Sequence, residues 1–281
     1  MASRLGTNAY GKSRIRLVRV VRDPAGDSVR DLVVAVRLEG AFEAAHIAGD
    51  NRGVLPTDTM KNTVYAFGAR HALAAIEAFA LELSRHFLTA GADVSRARVT
   101  IEEQPWEPIA DRGVVYPHAF IRRGGERATC VVQAAPAAVQ IDGGLTDLAI
   151  LKTAGSGFAG FLTDAYTTLP ETDDRLLGSR VSADWRFSGE TADYATCRGA
   201  IRAALIAAFA EHDSRSVQHT LFAMGERALA ACDAIASIHL SMPNLHHLPV
   251  DLAPFGDAVE GAVFVPVDEP HGLIEATVER G

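Results

Sequence analysis

Several groups of residues in this chain have types and spacings that chemistry uses. Gly155-Ser156-Gly157-Phe158-Ala159-Gly160 matches G-x-G-x-x-G, the pattern whose glycines let a backbone approach a pyrophosphate where a helix opens. A strand-like stretch precedes it, but residues 163–170 are rich in threonine, contain Pro170 and show no helical period. A glycine-rich loop is therefore expected in place of a dinucleotide site. His246-His247 offers imidazoles for proton exchange or metal binding, yet H-E-x-x-H is absent and no Cys or carboxylate stands beside the pair at ligand spacing. On a strand the two point to opposite faces, so only one can readily join a given cluster; a hydrogen-bonded core histidine is the plainer reading. Ser216 is a good helix N-cap, which would leave the amides of Val217 and Gln218 without intrahelical partners and open to an oxyanion. Capping alone requires only Ser216. Arg175, flanked by Asp173 and Asp174, reads by itself as half of a surface ion pair.

The elements that must hold these residues follow from periodicity. Residues 14–21 and 31–38 are rich in Val, Leu and Ile, and Asp23-Pro24-Ala25-Gly26-Asp27 joins them as a hairpin turn. Apolar residues recur at three- and four-residue intervals through Ala69, Leu73, Ile76, Phe79, Ala80, Leu83 and Phe87, which predicts one amphipathic helix over 66–87, ended by Gly91. Strands are expected at 98–104, 118–122 and 128–134, then at 137–141, 148–153 and 180–187. Helices at 194–211 and 217–232 follow, and strands at 238–242, 247–251, 263–267 and 273–279 close the chain. Antiparallel sheet covered by helices on one face, met twice, predicts an α+β duplication, because βα alternation is lacking. The boundary is placed near Asp142-Gly143-Gly144, giving domains over 1–142 and 143–281.

Composition sets the outer limits. The chain has 281 residues, 48% of them hydrophobic, enough for a sizeable core. A formal charge of -8 argues against nucleic acid or an anionic membrane as partner, while leaving room for a local basic pocket. Cys130, Cys197 and Cys232 are far apart and form no C-x-x-C pair, which fits reduced, buried thiols. No apolar run approaches the roughly 20 residues of a bilayer span, residues 1–10 lack a signal core, and the last residues are not a Ser-Lys-Leu address. A cytoplasmic location is expected.

Five stretches carry a family resemblance: Asn8-Ala9-Tyr10-Gly11-Lys12; residues 57–65, Thr-Asp-Thr-Met-Lys-Asn-Thr-Val-Tyr; Ser156 to Arg175; Ser216-Val217-Gln218; and Met242-Pro243-Asn244-Leu245-His246-His247. Together, in this order, they resemble the urate oxidases. The resemblance implies tandem tunnelling-fold domains, with four subunits closing antiparallel barrels and active sites at subunit interfaces. It implies oxidation of urate by molecular oxygen and water to 5-hydroxyisourate and hydrogen peroxide, with no metal, flavin or haem.

It also assigns roles. Arg175 and Gln218 match the clamp on the flat, anionic purine, with chemistry to suit: a guanidinium forks onto two acceptors, and an amide both donates and accepts. Phe158 matches the aromatic that stacks on the purine, Leu169 an apolar wall, and Val217 a backbone contact. Lys12, Thr57 and His246 match a proton relay, in which the ammonium lowers the proton affinity of the Thr57 hydroxyl. Thr57 and Asn244 match the pair holding oxygen, then water, over the ring, and Asp58 a support for the five-membered edge. Lys12, Thr57 and Asp58 lie in the first half and the clamp in the second, which in the family means different subunits. Leu245 departs from a family position that is polar or basic, and Pro249 interrupts a strand. Two other readings remain open: a purine-binding tunnelling-fold protein without catalysis, and a pterin enzyme, whose zinc-dependent forms need Cys/His ligands absent here.

Overall fold

The structure is a computed structural model that describes residues 3–71, 73–122, 124–256 and 262–281, with only the backbone at residue 268. It divides into two compact units, residues 1–145 with 186–196, and residues 146–185 with 197–281.

In the first unit, β1 (Ala9–Val21) and β2 (Ser28–Gly40) form the expected hairpin and are followed by β3 (Val94–Gln104) and β6 (Arg127–Ala135), all antiparallel. Alternation decides which face is buried: Leu32, Val34, Val36 and Leu38 of β2 are at most 2% exposed, as are Val99, Ile101 and Val132 opposite them. On this face lie α2 (Thr57–Arg70), packed on β1, and α3 (Ile76–Leu88), packed on β3 and β6 through Phe79, Leu83 and Phe87. A short α1 (Glu43–Ala48) and a separate ribbon of β4 (Glu107–Asp111) and β5 (Val114–Ile121) complete the unit.

The single helix expected over 66–87 is thus two. Leu73 adopts a left-handed φ of 52°, which ends helical propagation, yet its side chain is buried, so the apolar period runs on through the break. The beginning of α2 escaped the periodic reading because its first two turns bury only Met60 and Val64 among polar residues.

In the second unit, β8 (Leu177–Phe187) and β9 (Ile235–Pro249) lie next to each other, and β10 (Phe264–Glu279) pairs antiparallel with β9. The helices are α4 (Tyr194–Glu211) and α5 (Val217–Ala231), and α5 packs on β9 and β10. Val181, Ala183 and Trp185 of β8, Ile201 and Leu205 of α4, Leu221 and Met224 of α5, and Ile238, Leu240 and Met242 of β9 form the core. Strand β7 (Ala138–Lys152) merges the two strands expected at 137–141 and 148–153: Gly143 and Gly144 are buried strand residues. In the same way β9 runs unbroken from 235 to 249 through Pro243 and ends at Pro249, beyond which the Val250 N–H still donates to the Val263 carbonyl at 2.9 Å.

Candidate active site

Lys12, Thr57 and Asp58 fall together in the first unit. Up to Lys12, β1 pairs with β2 in regular register; the next pair is Ile15 with Val34, so three steps on β1 match two on β2. The one extra residue is a bulge, closed by Arg14 with φ 56°, and bulges re-aim the side chains beside them. Gly11, just before it, is dictated by packing: a Cβ there would stand 1.9 Å from the Val36 carbonyl oxygen. Thr57 is the first residue of α2, and Pro56 before it, at φ -57°, offers no capping side chain. The opening amides of α2 are therefore uncapped donors at the positive end of the helix dipole. The Asp58 carboxylate is already engaged, by Lys61 at 2.5 Å and Asn62 at 3.1 Å. The Lys61 ammonium chiefly, then Asn62 and the nearby charge of Lys12, hold its pKa below the usual carboxylate range. Asp58 thus has its backbone, more than its side chain, to offer a ligand.

Phe158, Leu169, Arg175, Val217, Gln218, Asn244 and His246 fall in the second unit. Two extended segments carry the first group. Phe158 and Thr172 exchange backbone hydrogen bonds at 2.7 and 3.0 Å, and Gly157 N–H donates to the Ser214 carbonyl at 2.8 Å. Gly157 is again forced by close approach, since a Cβ would lie 2.8 Å from the Asp173 carbonyl oxygen. No helix follows these glycines, as the sequence led one to expect, so the G-x-G-x-x-G is a loop that delivers Phe158. The Phe158 ring stacks on Phe161 with centroids 4.9 Å apart, and the Arg175 guanidinium sits over it at 5.3 Å, a cation–π arrangement.

The ion pair from Arg175 to Asp173 or Asp174 is not formed. Asp174 instead accepts from the Ser156 N–H at 3.0 Å, tying the two segments together. Arg175 is half-buried; desolvation pulls its pKa down, although the guanidinium stays charged. Its Nε and the Ser156 hydroxyl are buried without a hydrogen-bond partner among the described residues, and such orphans call for an explanation, a ligand being one. Leu169 is 54% exposed.

Ser216 caps α5, accepting from the His219 N–H at 3.1 Å, which leaves the amides of Val217 and Gln218 free. The Gln218 side chain is exposed and makes no hydrogen bond among the described residues. Beside this end of α5, His212 packs edge-on against His219 at 4.3 Å and lies 3.3 Å from the Thr220 hydroxyl, on a cavity of about 480 Å³ that Asp213 and Arg215 also line. Sequence reasoning passed over this pair, because six residues of turn and helix start separate the two histidines.

Asn244 and His246 lie two apart on β9 and so share a face. Opposite them β10 bulges: Val267 pairs with His246 and Gly272 with Asn244, five steps against two. Asn244 is 9% exposed. Both predicted groups that handle protons and oxygen thus sit where a strand pair loses register. Leu245, the departure from the family pattern, lies between them facing the other way, and its carbonyl is met by His247 Nδ1 at 3.1 Å. Among the described residues no three His, Cys, Asp or Glu side chains are grouped to hold a metal ion, and no helix is long and apolar enough to cross a membrane.

The family model described as Uricase matches residues 8–133 and 141–275. A uricase of Arthrobacter globiformis is 44% identical over 277 residues, covering 98% of this chain and 90% of that one. Uricases of Dictyostelium discoideum and Oryctolagus cuniculus are 35% and 33% identical, over 97% and 96% of this chain and 96% and 93% of theirs. The crystal structure of the Arthrobacter globiformis uricase superposes with a TM-score of 0.94 at 42% identity, covering 100% of this chain and 96% of that one. A Bacillus fastidious uricase, at 24% identity and a TM-score of 0.85 over 98% of this chain and 94% of that one, shares the fold.

Proposed function

The chain belongs to the uricase family and is an oxidoreductase acting on urate, and on that premise we propose how its residues divide the work. The observation that carries the reading is the half-buried Arg175 guanidinium above Phe158, its Nε without a partner among the described residues. A planar cation beside an aromatic face suits a flat anion that can take two hydrogen bonds from the fork and stack on the ring. The free amides at the start of α5 and the Gln218 carboxamide complete a hydrogen-bonding edge, and Leu169 offers an apolar wall.

The reaction takes up one O2 and one water per urate and returns 5-hydroxyisourate and hydrogen peroxide. Two electrons pass from the purine to oxygen, two protons accompany them, and water adds to the oxidised ring. No cofactor takes part; urate itself is the reductant. Lys12 lowers the proton affinity of the Thr57 hydroxyl, His246 exchanges the protons, and Thr57 with Asn244 holds first oxygen and then water over the ring. Asp58 steadies the five-membered edge. Lys12, Thr57 and Asp58 of one copy face Arg175, Gln218 and His246 of a neighbouring copy in a homotetramer of tandem tunnelling-fold domains that close a barrel, in the cytoplasm.

An oxygen electrode tests this directly. Urate should drive oxygen uptake with one peroxide formed per urate lost, unchanged by a chelator. Tetrameric protein that binds urate and consumes no oxygen would overturn the chemistry, and inhibition by a chelator would overturn the cofactor-free reading.

A further inference from the structure

We infer that Tyr10 is a positioning residue for the proton relay: its hydroxyl ties the strand that carries Lys12 to the turn that delivers Thr57. The inference rests on the relay reading above. Tyr10 pairs with Leu38 and Lys12 with Val36, ahead of the bulge, so the two side chains leave the same face of β1. The Tyr10 ring stands edge-on to Phe42, centroids 4.8 Å apart at 86°, and Phe42 is buried, so the ring has a fixed seat. From that seat the hydroxyl accepts the Leu55 N–H at 2.9 Å. Leu55 is followed by Pro56, whose ring fixes φ, and then by Thr57.

The connection matters because α2 has no capping side chain, and the Tyr10 hydroxyl is the side-chain partner that the structure gives this entry segment. A link from Tyr10 to Leu55 holds the start of α2 against the strand bearing Lys12, and the charge of Lys12 is felt as far as Asp58. Burial pushes the Tyr10 phenol above its ordinary pKa, with the Leu55 N–H opposing. The phenol therefore stays neutral and keeps its own proton to donate while it accepts. Relay geometry of this kind is sensitive: a displacement of about 1 Å can cost on the order of a hundredfold in rate.

Tyr10→Phe keeps the ring on Phe42 and removes only the acceptor. On folded protein, kcat should fall about tenfold while KM stays within about twofold. A merely structural tyrosine would lower the melting temperature and leave kcat unchanged, which would overturn the inference. In Tyr10→Phe/Lys12→Met, turnover should be no slower than in Lys12→Met alone, because both act through one relay; multiplying losses would also overturn it. If Tyr10→Phe does not fold, Phe42→Leu loosens the seat and keeps the hydroxyl; a smaller loss confined to kcat supports the role, and unchanged kcat refutes it. Lys12→Met with undiminished turnover sinks the relay reading itself, whereas a slow Lys12→Met beside a fully active Tyr10→Phe sinks this inference alone.

Discussion

The two units hold their polar groups in opposite conditions. Around Lys12 and Thr57 the charge is already matched: the Asp58 carboxylate is exposed and bound by Lys61 and Asn62. Around Arg175 it is not: the guanidinium is half-buried, lies over an aromatic ring and leaves Nε without a partner among the described residues. A solvated, paired cluster costs little to maintain and can shift protons among its members. A buried, unpaired cation is costly until an anion arrives. The contrast fits the proposed division of labour, with Lys12 and Thr57 of the first unit serving the chemistry and the second unit supplying the purine clamp alongside His246 and Asn244.

The largest expected effect tests the first side of that contrast. Lys12→Met removes the ammonium proposed to act on Thr57 and should lower kcat by about 10²- to 10⁴-fold, the range of general acid–base contributions, while urate affinity measured by calorimetry changes little. A variant that lost binding in step with turnover would erase the division. Next comes Arg175→Ala, which would take away the two charge-assisted hydrogen bonds proposed for the guanidinium fork. About 3 kcal/mol, or on the order of a hundredfold, should appear in urate affinity, and saturating urate should recover much of the turnover. If kcat fell a hundredfold with affinity intact, Arg175 would belong with the chemistry.

Much of this architecture was legible from patterns along the chain, and the failures share a cause. Alternation located β1, β2, β3, β6 and β8, and the helical period located α4 and α5, because each of these buries one face on a core. The pattern records burial, though, and not the backbone. Leu73 is buried and apolar in a left-handed conformation, so it continued the rhythm of a helix that had ended. Gly143, Gly144 and Pro243 looked like chain breaks and lie inside strands. At the site, Ser216 declared itself as a cap. Arg175 did not, since nothing in Asp173-Asp174-Arg175 shows that Asp174 turns to the Ser156 amide. The bulges beside Lys12 and opposite Asn244 are also silent, because register is a relation between two strands.

The two motif glycines allow a milder test of the same contrast. Gly157→Ala would press a methyl against the Asp173 and Thr172 carbonyls, at 2.8 and 3.1 Å, and spread the segments that seat Phe158 and Arg175. Urate KM should rise about tenfold, with kcat within about twofold. Gly11→Ala would drive β1 away from the Val36 carbonyl beside Lys12 and should lower kcat more than affinity, with about 1–3 kcal/mol of stability lost to the clash. Kinetics on folded protein would check both. An affinity loss in Gly11→Ala or a turnover loss in Gly157→Ala would show that the two regions are not separable.

The smallest effect concerns pH and belongs to the second unit. His212 has its pKa pulled below the ordinary 6.5, first by desolvation, then by His219 and Lys152, with Asp213 opposing. The Lys152 ammonium donates to the His212 carbonyl. A histidine with a depressed folded pKa binds its proton more weakly folded than unfolded. Nothing is lost above the unfolded value of about 6.5, and stability declines as pH falls from there through the folded pKa. His212→Gln keeps a polar contact for Thr220 and removes the titration, so its melting temperature should fall less steeply below about pH 6.5 than that of the parent. Parallel curves would assign the acid sensitivity elsewhere. Because His212 packs on His219, one residue after Gln218 at the start of α5, the positive charge it takes up in acid should hold anionic urate more tightly in the parent than in His212→Gln. If acid lowered kcat and left affinity untouched, the pH response would trace to the relay, and the clamp would be the insensitive partner.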